Sequence, residues 1–470
     1  MPVAGSLYSM IAATIQDVIA VLGAECSTAI KPDAPIRGAA IDSRTIRPGQ
    51  AFFAVRGEYF DGHDFAAEVA VKGAACIIAE RAIDLPSDHT VPVLVVDSVL
   101  GALATLARWY RRQLSAHVIA ITGSAGKTTT RHILHHVLSR FYRCHQAVKS
   151  FNNHIGVPLT ILAAPPDSEI LLLELGTNHP GEIELLARIA KPDAACITLI
   201  GPAHLEGFGR IENILVEKTS IAKGLNADGT LYVNGDQPEL TEYAKTLGCR
   251  VKTFGTTAGC DIIGTDLASD GLTGRLTIEG RTVGVPLPGR ANLMNVLTVW
   301  SICRDLKVAL SDFIEAIQTV SPIPMRLAAE TIGRMTLLND CYNANPASMS
   351  NALEALSRLS GQTGRRAVFV AGSMGELGSL AAQLHHQLGH QAAHAGVACL
   401  LACGPFAPQI IAGATEGGLD ADACKFFADT AELCDKLHCF VRPADIILVK
   451  GSRAAGLEAA VDVIRRMAMD

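Results

Sequence analysis

The run 122–129, Thr-Gly-Ser-Ala-Gly-Lys-Thr-Thr, places two glycines before a lysine and adjoining hydroxyl side chains. Glycines let the backbone turn its N–H groups toward phosphate oxygens, a lysine neutralises the β and γ phosphates, and a hydroxyl can coordinate magnesium. A plain strand-to-helix turn also uses glycines, but it has no need of the lysine and threonine. We therefore predict that a triphosphate, with Mg²⁺ at the first threonine after the lysine, is bound by Gly123, Ser124, Ala125, Gly126, Lys127, Thr128 and Thr129.

Two further candidate groups follow apolar runs that are typical of buried strands. Glu174 comes directly after 170–173, and His204 follows 194–200. Ligands in open α/β sheets collect beyond the carboxyl ends of the strands, so both groups are expected in the crevice that holds the phosphates. An acid one strand away from a phosphate loop commonly holds magnesium. The alternatives are a carboxylate that satisfies backbone donors and a histidine that is simply packed.

Short apolar runs alternate with helical stretches along the chain, which indicates the α/β class. At 470 residues the chain is too long for one core, and a prior of about 150 residues per domain predicts three domains. We expect an N-terminal α/β domain (1–113), a central parallel sheet with the phosphate loop (114–322) and a Rossmann-like C-terminal domain (323–470). The C-terminal domain has no Gly-x-Gly-x-x-Gly run, so dinucleotide binding is not predicted.

The composition is that of an ordinary soluble protein, with 49% hydrophobic and 18% charged residues and a formal net charge of -6. Because there is no basic excess, no nucleic-acid partner is expected. Residues 1–13 lack a signal-peptide pattern and the apolar runs are too short to span a bilayer, so a cytoplasmic location without membrane insertion is predicted. The thirteen cysteines are typical of reduced, buried thiols, and Cys399 and Cys403, with His394 before them, lack a complete set of zinc ligands.

Two pairs of asparagines have both a structural and a ligand-binding interpretation. Asn152 and Asn153 precede a turn, where they can either cap a helix or direct their amides toward a phosphate. Asn292 and Asn295 are three residues apart at the start of a helix and therefore share a face. That face is suited to a base or a ribose, although capping explains the first of the two equally well.

Five motifs, taken together and in order, resemble those of the Mur ligases, the ATP-dependent amide-forming enzymes that build the peptide of the bacterial cell-wall precursor. They are Asn-Asn-His-Ile-Gly-Val-Pro (152–158), Ala-His-Leu-Glu-Gly-Phe-Gly (203–209), Asp-Cys-Tyr-Asn-Ala-Asn-Pro (340–346), Gly-Glu-Leu-Gly (375–378) and Leu-Val-Lys-Gly-Ser-Arg (448–453). The third is similar to the motif of members that join D-alanyl-D-alanine to a UDP-N-acetylmuramoyl-tripeptide (UDP-MurNAc-tripeptide) through an acyl phosphate. The resemblance implies a UDP-sugar domain, an ATPase domain and an amine-delivering domain, in that order.

The resemblance also implies roles for individual residues. Glu174 and His204 join Thr128 as magnesium ligands, and Lys218 matches a lysine that these ligases convert to a carbamate, which adds a fourth ligand. The expected catalytic set consists of Lys127, Glu174, His204 and Lys218. The nucleotide is expected to contact Asn292, Asn295, Arg326, Asp340, Tyr342, Asn343 and Asn345. The UDP substrate is expected to contact Ser43, Arg44, Asn152 and Asn153.

Two positions depart from the family pattern, because Ala291 replaces a usual histidine and Ser373 replaces a usual aspartate. The first bears on the nucleotide contacts and the second on the site of the incoming amine. Two other classes of function stay open: another Mur-type amino-acid ligase or folylpolyglutamate synthetase, and a non-catalytic ATP-binding scaffold. A monomer is expected.

Overall fold

The computed structural model describes residues 13–26, 31–86, 91–147 and 150–468, and these form three units, each built on its own β-sheet. Strands and helices alternate in all three, which confirms the predicted α/β class. The absence of a signal peptide is predicted from residues 1–13, and of these residues the structure describes only Ala13. Within the described part of the chain, no helix is long and apolar enough to cross a membrane.

The first unit has short strands and three helices. Its elements are β1 (Ala13–Thr14), α1 (Ile15–Leu22), β2 (Glu25–Cys26), β3 (Pro35–Ile36), β4 (Ala39–Ala40), β5 (Ala51–Phe53), α2 (Ala66–Val71), β6 (Cys76–Ala79), β7 (Val93–Val95) and α3 (Val99–Arg111). The sheet has the order β2-β7-β6-β5-β4, and only β2 is antiparallel to its neighbour. β1 and β3 form a separate antiparallel pair.

Helix α3 fixes the first unit to the second. The hydroxyl of Tyr110 donates a hydrogen bond to the carbonyl of Ala164 at 2.8 Å, and Nε of Arg111 donates to the carbonyl of Ala190 at 2.9 Å. Both donors are buried, so these hydrogen bonds satisfy groups that would otherwise be costly to remove from water. The helix therefore places the first unit at a defined position on the second.

The second unit contains the phosphate loop and nine strands. Its elements are β8 (His117–Thr122), α4 (Lys127–Leu138), β9 (Cys144–Gln146), α5 (Gly156–Leu162), β10 (Ile170–Glu174), α6 (Glu182–Ala190), β11 (Ala194–Ile197), α7 (Leu205–Phe208), α8 (Ile211–Thr219), β12 (Thr230–Asn234), α9 (Pro238–Lys245), β13 (Arg250–Gly255), β14 (Ile262–Ser269), β15 (Gly274–Ile278), β16 (Arg281–Val285), α10 (Arg290–Asp305) and α11 (Leu310–Ile317). The order is β16-β15-β14-β13-β12-β11-β8-β10-β9, with β15 and β16 antiparallel to their neighbours.

Strand β8 lies at the point where this sheet reverses its order. The chain passes from β8 to the β9 edge, returns to β10 and then crosses to β11 on the other side. β8 is apolar on both faces, because Val118 and Ala120 enter one hydrophobic cluster while Ile119 and Ile121 enter another. The carboxyl ends of β8, β10 and β11 consequently open on one crevice, the usual place for a ligand in such a sheet.

The third unit is a second, mostly parallel sheet. Its elements are β17 (Ala328–Ile332), β18 (Met335–Asp340), α12 (Pro346–Thr363), β19 (Ala367–Ala371), α13 (Ala381–His394), β20 (Cys399–Cys403), α14 (Ala407–Glu416), β21 (Cys424–Phe427), α15 (Thr430–Lys436), β22 (Ile446–Lys450) and α16 (Glu458–Met467). The order is β17-β18-β22-β19-β20-β21, with β17 antiparallel. Apolar runs predict the four central strands; β17 and β21 escape that prediction because these edge strands are only partly buried.

Candidate active site

The phosphate loop has a backbone that only glycine adopts without strain. Gly123 has φ of 144° and Gly126 has φ of 82°. A Cβ atom on Gly123 would lie 2.0 Å from Oγ1 of Thr198, and one on Gly126 would lie 2.6 Å from Oδ1 of Asn295. Both glycines are therefore required by conformation and by space. Gly126 caps α4, so the N-terminal N–H groups of this helix are directed at the loop.

Lys127 is the first residue of α4, and its side chain turns back over the loop. Its Nζ donates a hydrogen bond to the carbonyl of Gly123 at 2.7 Å. Burial lowers the pKa of this ammonium group, while the nearby Glu174 carboxylate opposes the shift. The loop thus holds a cation where a phosphate chain would pass along its N–H groups.

Glu174 ends β10 and is 2% exposed. It accepts hydrogen bonds from Oγ1 of Thr128 at 2.9 Å and from Nδ2 of Asn152 at 3.0 Å. The Nε of Arg131 lies 3.6 Å from the same carboxylate. A buried carboxylate and a hydroxyl thus lie side by side at the start of α4.

His204 precedes α7 and adopts a left-handed backbone conformation, with φ of 56°. Its Nδ1 forms a hydrogen bond with Oε2 of Glu376, which belongs to the third unit. The N–H of Glu206 donates to the carbonyl of Glu376 at 3.1 Å, so main chain and side chain join the two units here. Hydrogen bonding to the histidine lowers the pKa of Glu376.

Lys218 lies in the last turn of α8 and is 1% exposed. Among the residues that the structure describes, nothing forms a hydrogen bond with its Nζ. Burial lowers its pKa well below the ordinary value for lysine, and the charge of Lys127 lowers it further; Glu217 and Glu174 oppose these effects without restoring it. A buried amine without a partner is expensive, which points to a chemical purpose.

Asn345 connects the third unit to the phosphate loop. Its Oδ1 caps α12 by accepting the N–H of Ser348 at 2.9 Å, and its Nδ2 donates to the carbonyl of Ser124 at 3.1 Å. One side chain therefore satisfies a helix terminus and a loop carbonyl of another unit.

Three charged residues and a tyrosine of the third unit line the other wall of the crevice. The guanidinium carbon of Arg326 lies 4.1 Å from the centre of the Tyr342 ring. Asp340, at the end of β18, accepts from Nζ of Lys450 at 2.6 Å. Burial raises the pKa of Asp340, and the attraction to Lys450 opposes that rise. The aromatic face and the cations suit a planar, negatively charged ligand.

A cavity of about 250 Å³ lies between the second and third units. Sixteen of the predicted site residues line it: Ser124, Ala125, Gly126, Lys127, Thr128, Thr129, Asn152, Glu174, His204, Asn292, Asn295, Arg326, Asp340, Tyr342, Asn343 and Asn345. The structure thus brings together residues that are more than two hundred positions apart. The cavity also contacts Ala291, which replaces the histidine expected from the family pattern.

Asn292 and Asn295 share a helix face, and they hydrogen-bond to each other at 3.1 Å. Asn292 also donates to the carbonyl of Pro288 at 2.7 Å, while Asn295 accepts from Oγ1 of Thr130 at 3.3 Å. Their amides consequently pack the start of α10 against α4 and the phosphate loop. Their contact with a nucleotide stays a prediction.

Three predicted substrate contacts lie outside the cavity lining. The Oδ1 of Asn153 accepts the N–H of Gly156, the first residue of α5, at 2.9 Å. Ser43 is buried, and its Oγ donates to Glu68 at 3.4 Å. The Arg44 side chain is 84% exposed and pairs with Asp42. Gly123 and Lys218 also lie outside the lining, although both contact or face residues within it.

Sequence reasoning missed two charged residues of this region as site residues. Lys450 lines the cavity at the end of β22, in register with Asp340 on β18. A signal for it was present, because it ends an apolar run just as Glu174 does. Glu376 contacts His204 across the units, and no sequence pattern gives a distance of that kind.

Three models of the Mur ligase family match most of the chain. The family catalytic domain matches residues 35–111, the middle domain residues 121–303, and the glutamate ligase domain residues 325–453. Together with the three sheets and the phosphate loop, these matches define the class. The chain belongs to the Mur ligase family.

Individual relatives narrow the comparison. The chain is 35% identical over 429 residues to the UDP-N-acetylmuramoyl-tripeptide–D-alanyl-D-alanine ligase of Bacillus subtilis, covering 91% of this chain and 92% of that protein. It is 32% identical to the enzyme of the same name from Escherichia coli, covering 97% and 99%. Among solved structures, MurF from Acinetobacter baumannii superposes with a TM-score of 0.86 at 30% identity, covering 96% of this chain and 98% of that one. MurF ligase from Thermotoga maritima in complex with ADP gives 0.81 at 28%, covering 92% and 97%.

Proposed function

We propose that this protein is an ATP-dependent ligase that joins D-alanyl-D-alanine to a UDP-N-acetylmuramoyl-tripeptide, a step in peptidoglycan precursor synthesis. The observation that carries the proposal is the single cavity lined by the phosphate loop of the second unit and the strand ends of the third. Relatives that cover almost the whole chain bear the name of this activity. The reaction belongs in the cytoplasm, with the protein as a monomer.

The triphosphate of ATP binds along the N–H groups of the loop 123–129, with Lys127 beside the β and γ phosphates. The adenosine end lies toward Arg326 and Tyr342, whose stacked guanidinium and ring offer a flat surface. Asn345 holds the third unit against the loop at Ser124. Binding of ATP therefore depends on both units.

The residues present fit a magnesium ion. Mg²⁺ prefers oxygen ligands in octahedral geometry at 2.0–2.1 Å, which places neighbouring ligands about 2.9 Å apart. Thr128 Oγ1 and Glu174 Oε2 are separated by 2.9 Å. His204 has a carboxylate on Nδ1, the usual arrangement for a metal-ligating imidazole. When bound, magnesium supplies positive charge that stabilises the transferring phosphoryl group.

Lys218 suits carbamylation. Its lowered pKa favours the neutral amine, the form that attacks carbon dioxide and loses a proton to give a carbamate. The product is an anion whose oxygens are available to a metal, so a buried amine without a hydrogen-bond partner among the described residues is replaced by a ligand. Glu217, next to Lys218, accepts hydrogen bonds from the N–H groups of Gly181 and Ile183. These bonds occupy its carboxylate, so Glu217 does not serve as the metal ligand.

The reaction has two steps. A carboxylate oxygen of the tripeptide attacks the γ phosphorus, the bond to the β-phosphate oxygen breaks, and ADP leaves. The Lys127 ammonium stabilises the charge on the phosphoryl oxygens. The amine of D-alanyl-D-alanine then attacks the acyl phosphate carbon, loses a proton, and phosphate leaves. The contacts of His204 with Glu376 and of Asn345 with Ser124 keep the units together and exclude water from the acyl phosphate.

The remaining substrates occupy the outer units in this scheme. The exposed Arg44 guanidinium of the first unit is available for the diphosphate of the UDP sugar. The third unit receives the dipeptide near Ser373, whose buried hydroxyl has no hydrogen-bond partner among the described residues.

Isotope transfer tests the proposed chemistry. The tripeptide is labelled with ¹⁸O in its terminal carboxylate and incubated with the protein, ATP, magnesium and D-alanyl-D-alanine. An acyl phosphate requires that one labelled oxygen appear in the phosphate released. Phosphate without the label, formed at the same rate as the amide product, contradicts the mechanism.

A further inference from the structure

Helix α13 of the third unit carries two histidines one turn apart on its surface, His386 and His390. Glu416, at the end of α14, lies against both. Its Oε2 is 3.2 Å from Nε2 of His386 and 3.5 Å from Nε2 of His390. The three candidate ligand atoms all lie within 4.8 Å of one another.

Two glycines bring these helices close enough for the cluster to form. A Cβ on Gly389 would lie 2.0 Å from the carbonyl oxygen of Ile410, and one on Gly413 would lie 1.9 Å from the carbonyl oxygen of His386. No side chain fits at either point. The crossing consequently fixes the last turn of α14 beside the two histidines.

We propose that His386, His390 and Glu416 form a binding site for a divalent transition-metal ion of the Zn²⁺ class. Zinc binds imidazole nitrogen at 2.0–2.1 Å and carboxylate oxygen at 2.0–2.2 Å, so tetrahedral ligands are about 3.3–3.5 Å apart. The two nitrogen-to-oxygen distances agree with that spacing. Two imidazoles favour such an ion over magnesium, which prefers oxygen ligands.

The exposure of the cluster suits binding from solution. The side chains of the two histidines are 33% and 37% exposed, and that of Glu416 is 62% exposed. Solvent reaches the cluster, so water can complete the coordination sphere. An ion pair without a metal needs only one protonated histidine beside Glu416. In the structure, however, one carboxylate oxygen of Glu416 lies close to both imidazole rings. The site is separate from the proposed ligase chemistry and does not depend on it.

Calorimetric titration with Zn²⁺ tests the proposal on the full-length protein freed of metal with a chelator. The wild type is compared with His386→Ala, His390→Ala and Glu416→Gln. His394→Ala is the matched control, because His394 lies on the next turn of the same helix and outside the cluster. Cys439→Ser is a second control, because its exposed thiol lies 3.3 Å from Nε2 of His438.

We expect a site of one ion per chain whose affinity falls about tenfold or more in each histidine variant and less in Glu416→Gln. The two controls should keep the wild-type affinity. Equal affinity in the wild type and the His386→Ala and His390→Ala variants overturns the proposal, as does loss of the site in Cys439→Ser or His394→Ala. Retention of far-ultraviolet circular dichroism in each variant excludes unfolding as the cause.

Discussion

The side-chain amide of Asn345 donates a hydrogen bond to the main-chain carbonyl of Ser124 at 3.1 Å, across 221 positions of sequence. The same side chain caps α12 through the N–H of Ser348. The first contact joins the third unit to the second, whereas the second contact lies within the third unit. Comparison with a variant of another helix cap can therefore separate the inter-unit role of this residue from its capping role.

Asn345→Ala is expected to raise the KM for ATP and to destabilise the third unit by about 1 kcal/mol through loss of the cap. Asp429→Ala is the matched control, because Asp429 caps α15 by accepting the N–H of Glu432 at 2.9 Å. The control should lose similar stability with an unchanged KM. Steady-state kinetics and denaturant unfolding measure the two effects, and equal KM values for both variants would refute the interdomain role.

Lys127→Ala is expected to lower kcat by about 10²–10³-fold, because the charge developing on the γ phosphoryl oxygens loses its nearest ammonium group. Lys245→Ala serves as the control, since this exposed lysine pairs only with Glu242 in the same helix. ADP formation is measured with a coupled assay. Turnover at the wild-type rate in Lys127→Ala would contradict the assignment of residues 123–129 as the phosphate-binding loop.

Lys218→Met is expected to abolish ligation. It is also expected to stabilise the fold by about 1–3 kcal/mol, because the methionine side chain has a similar shape to lysine but lacks the buried amine. The lowered pKa means that the unfolded chain binds more protons between the folded pKa and 10.5. The stability of the wild type therefore rises with pH across that window. The advantage of the variant is largest below the folded pKa and is smallest near pH 10.5, where only the cost of burying the neutral amine remains.

Unfolding of Lys218→Met is measured by denaturant titration in buffer depleted of carbon dioxide. Lys223→Met is the control, because this lysine is exposed and pairs with Glu184. Added bicarbonate should raise wild-type turnover in the same buffer. An active Lys218→Met enzyme, or wild-type turnover indifferent to bicarbonate, would count against carbamylation.

Glu376→Gln is expected to weaken closure of the third unit over the second, because it removes the charge that pairs with His204. The hydrogen bond to His204 lowers the pKa of Glu376, so the carboxylate is ionised at neutral pH and the contact weakens as the pH falls through that lowered value. Small-angle scattering should show a larger radius of gyration. Glu354→Gln, in an exposed pair with Arg358, should leave the radius unchanged.

The fold and most of the crevice were accessible from sequence because they depend on local patterns. Apolar runs marked β8, β10 and β11, and the residue at a strand end then fell on the crevice by the geometry of parallel sheets, as for Glu174. The same rule places Lys450, at the end of β22, on the crevice. Edge strands such as β17 escaped because half-exposed residues carry a weak pattern.

Contacts between units were not accessible in the same way. The pairing of His204 with Glu376 depends on how two separately folded sheets meet, and no spacing along the chain contains that information. The two adjacent asparagines show a smaller version of the same limit. Asn152 contacts Glu174, whereas Asn153 accepts the N–H of Gly156 at the start of α5, and the backbone turn between the two asparagines sets this difference.

The choice of amine tests the proposed function most directly. The protein is incubated with ATP, magnesium and UDP-MurNAc-tripeptide, and separately with D-alanyl-D-alanine, meso-diaminopimelate or glutamate as the amine. Phosphate release and the mass of the UDP-linked product are followed together. The proposal predicts release coupled to a product extended by the dipeptide, and only in its presence. Equal or faster ligation of another amine, or ATP binding without turnover in any mixture, would contradict it.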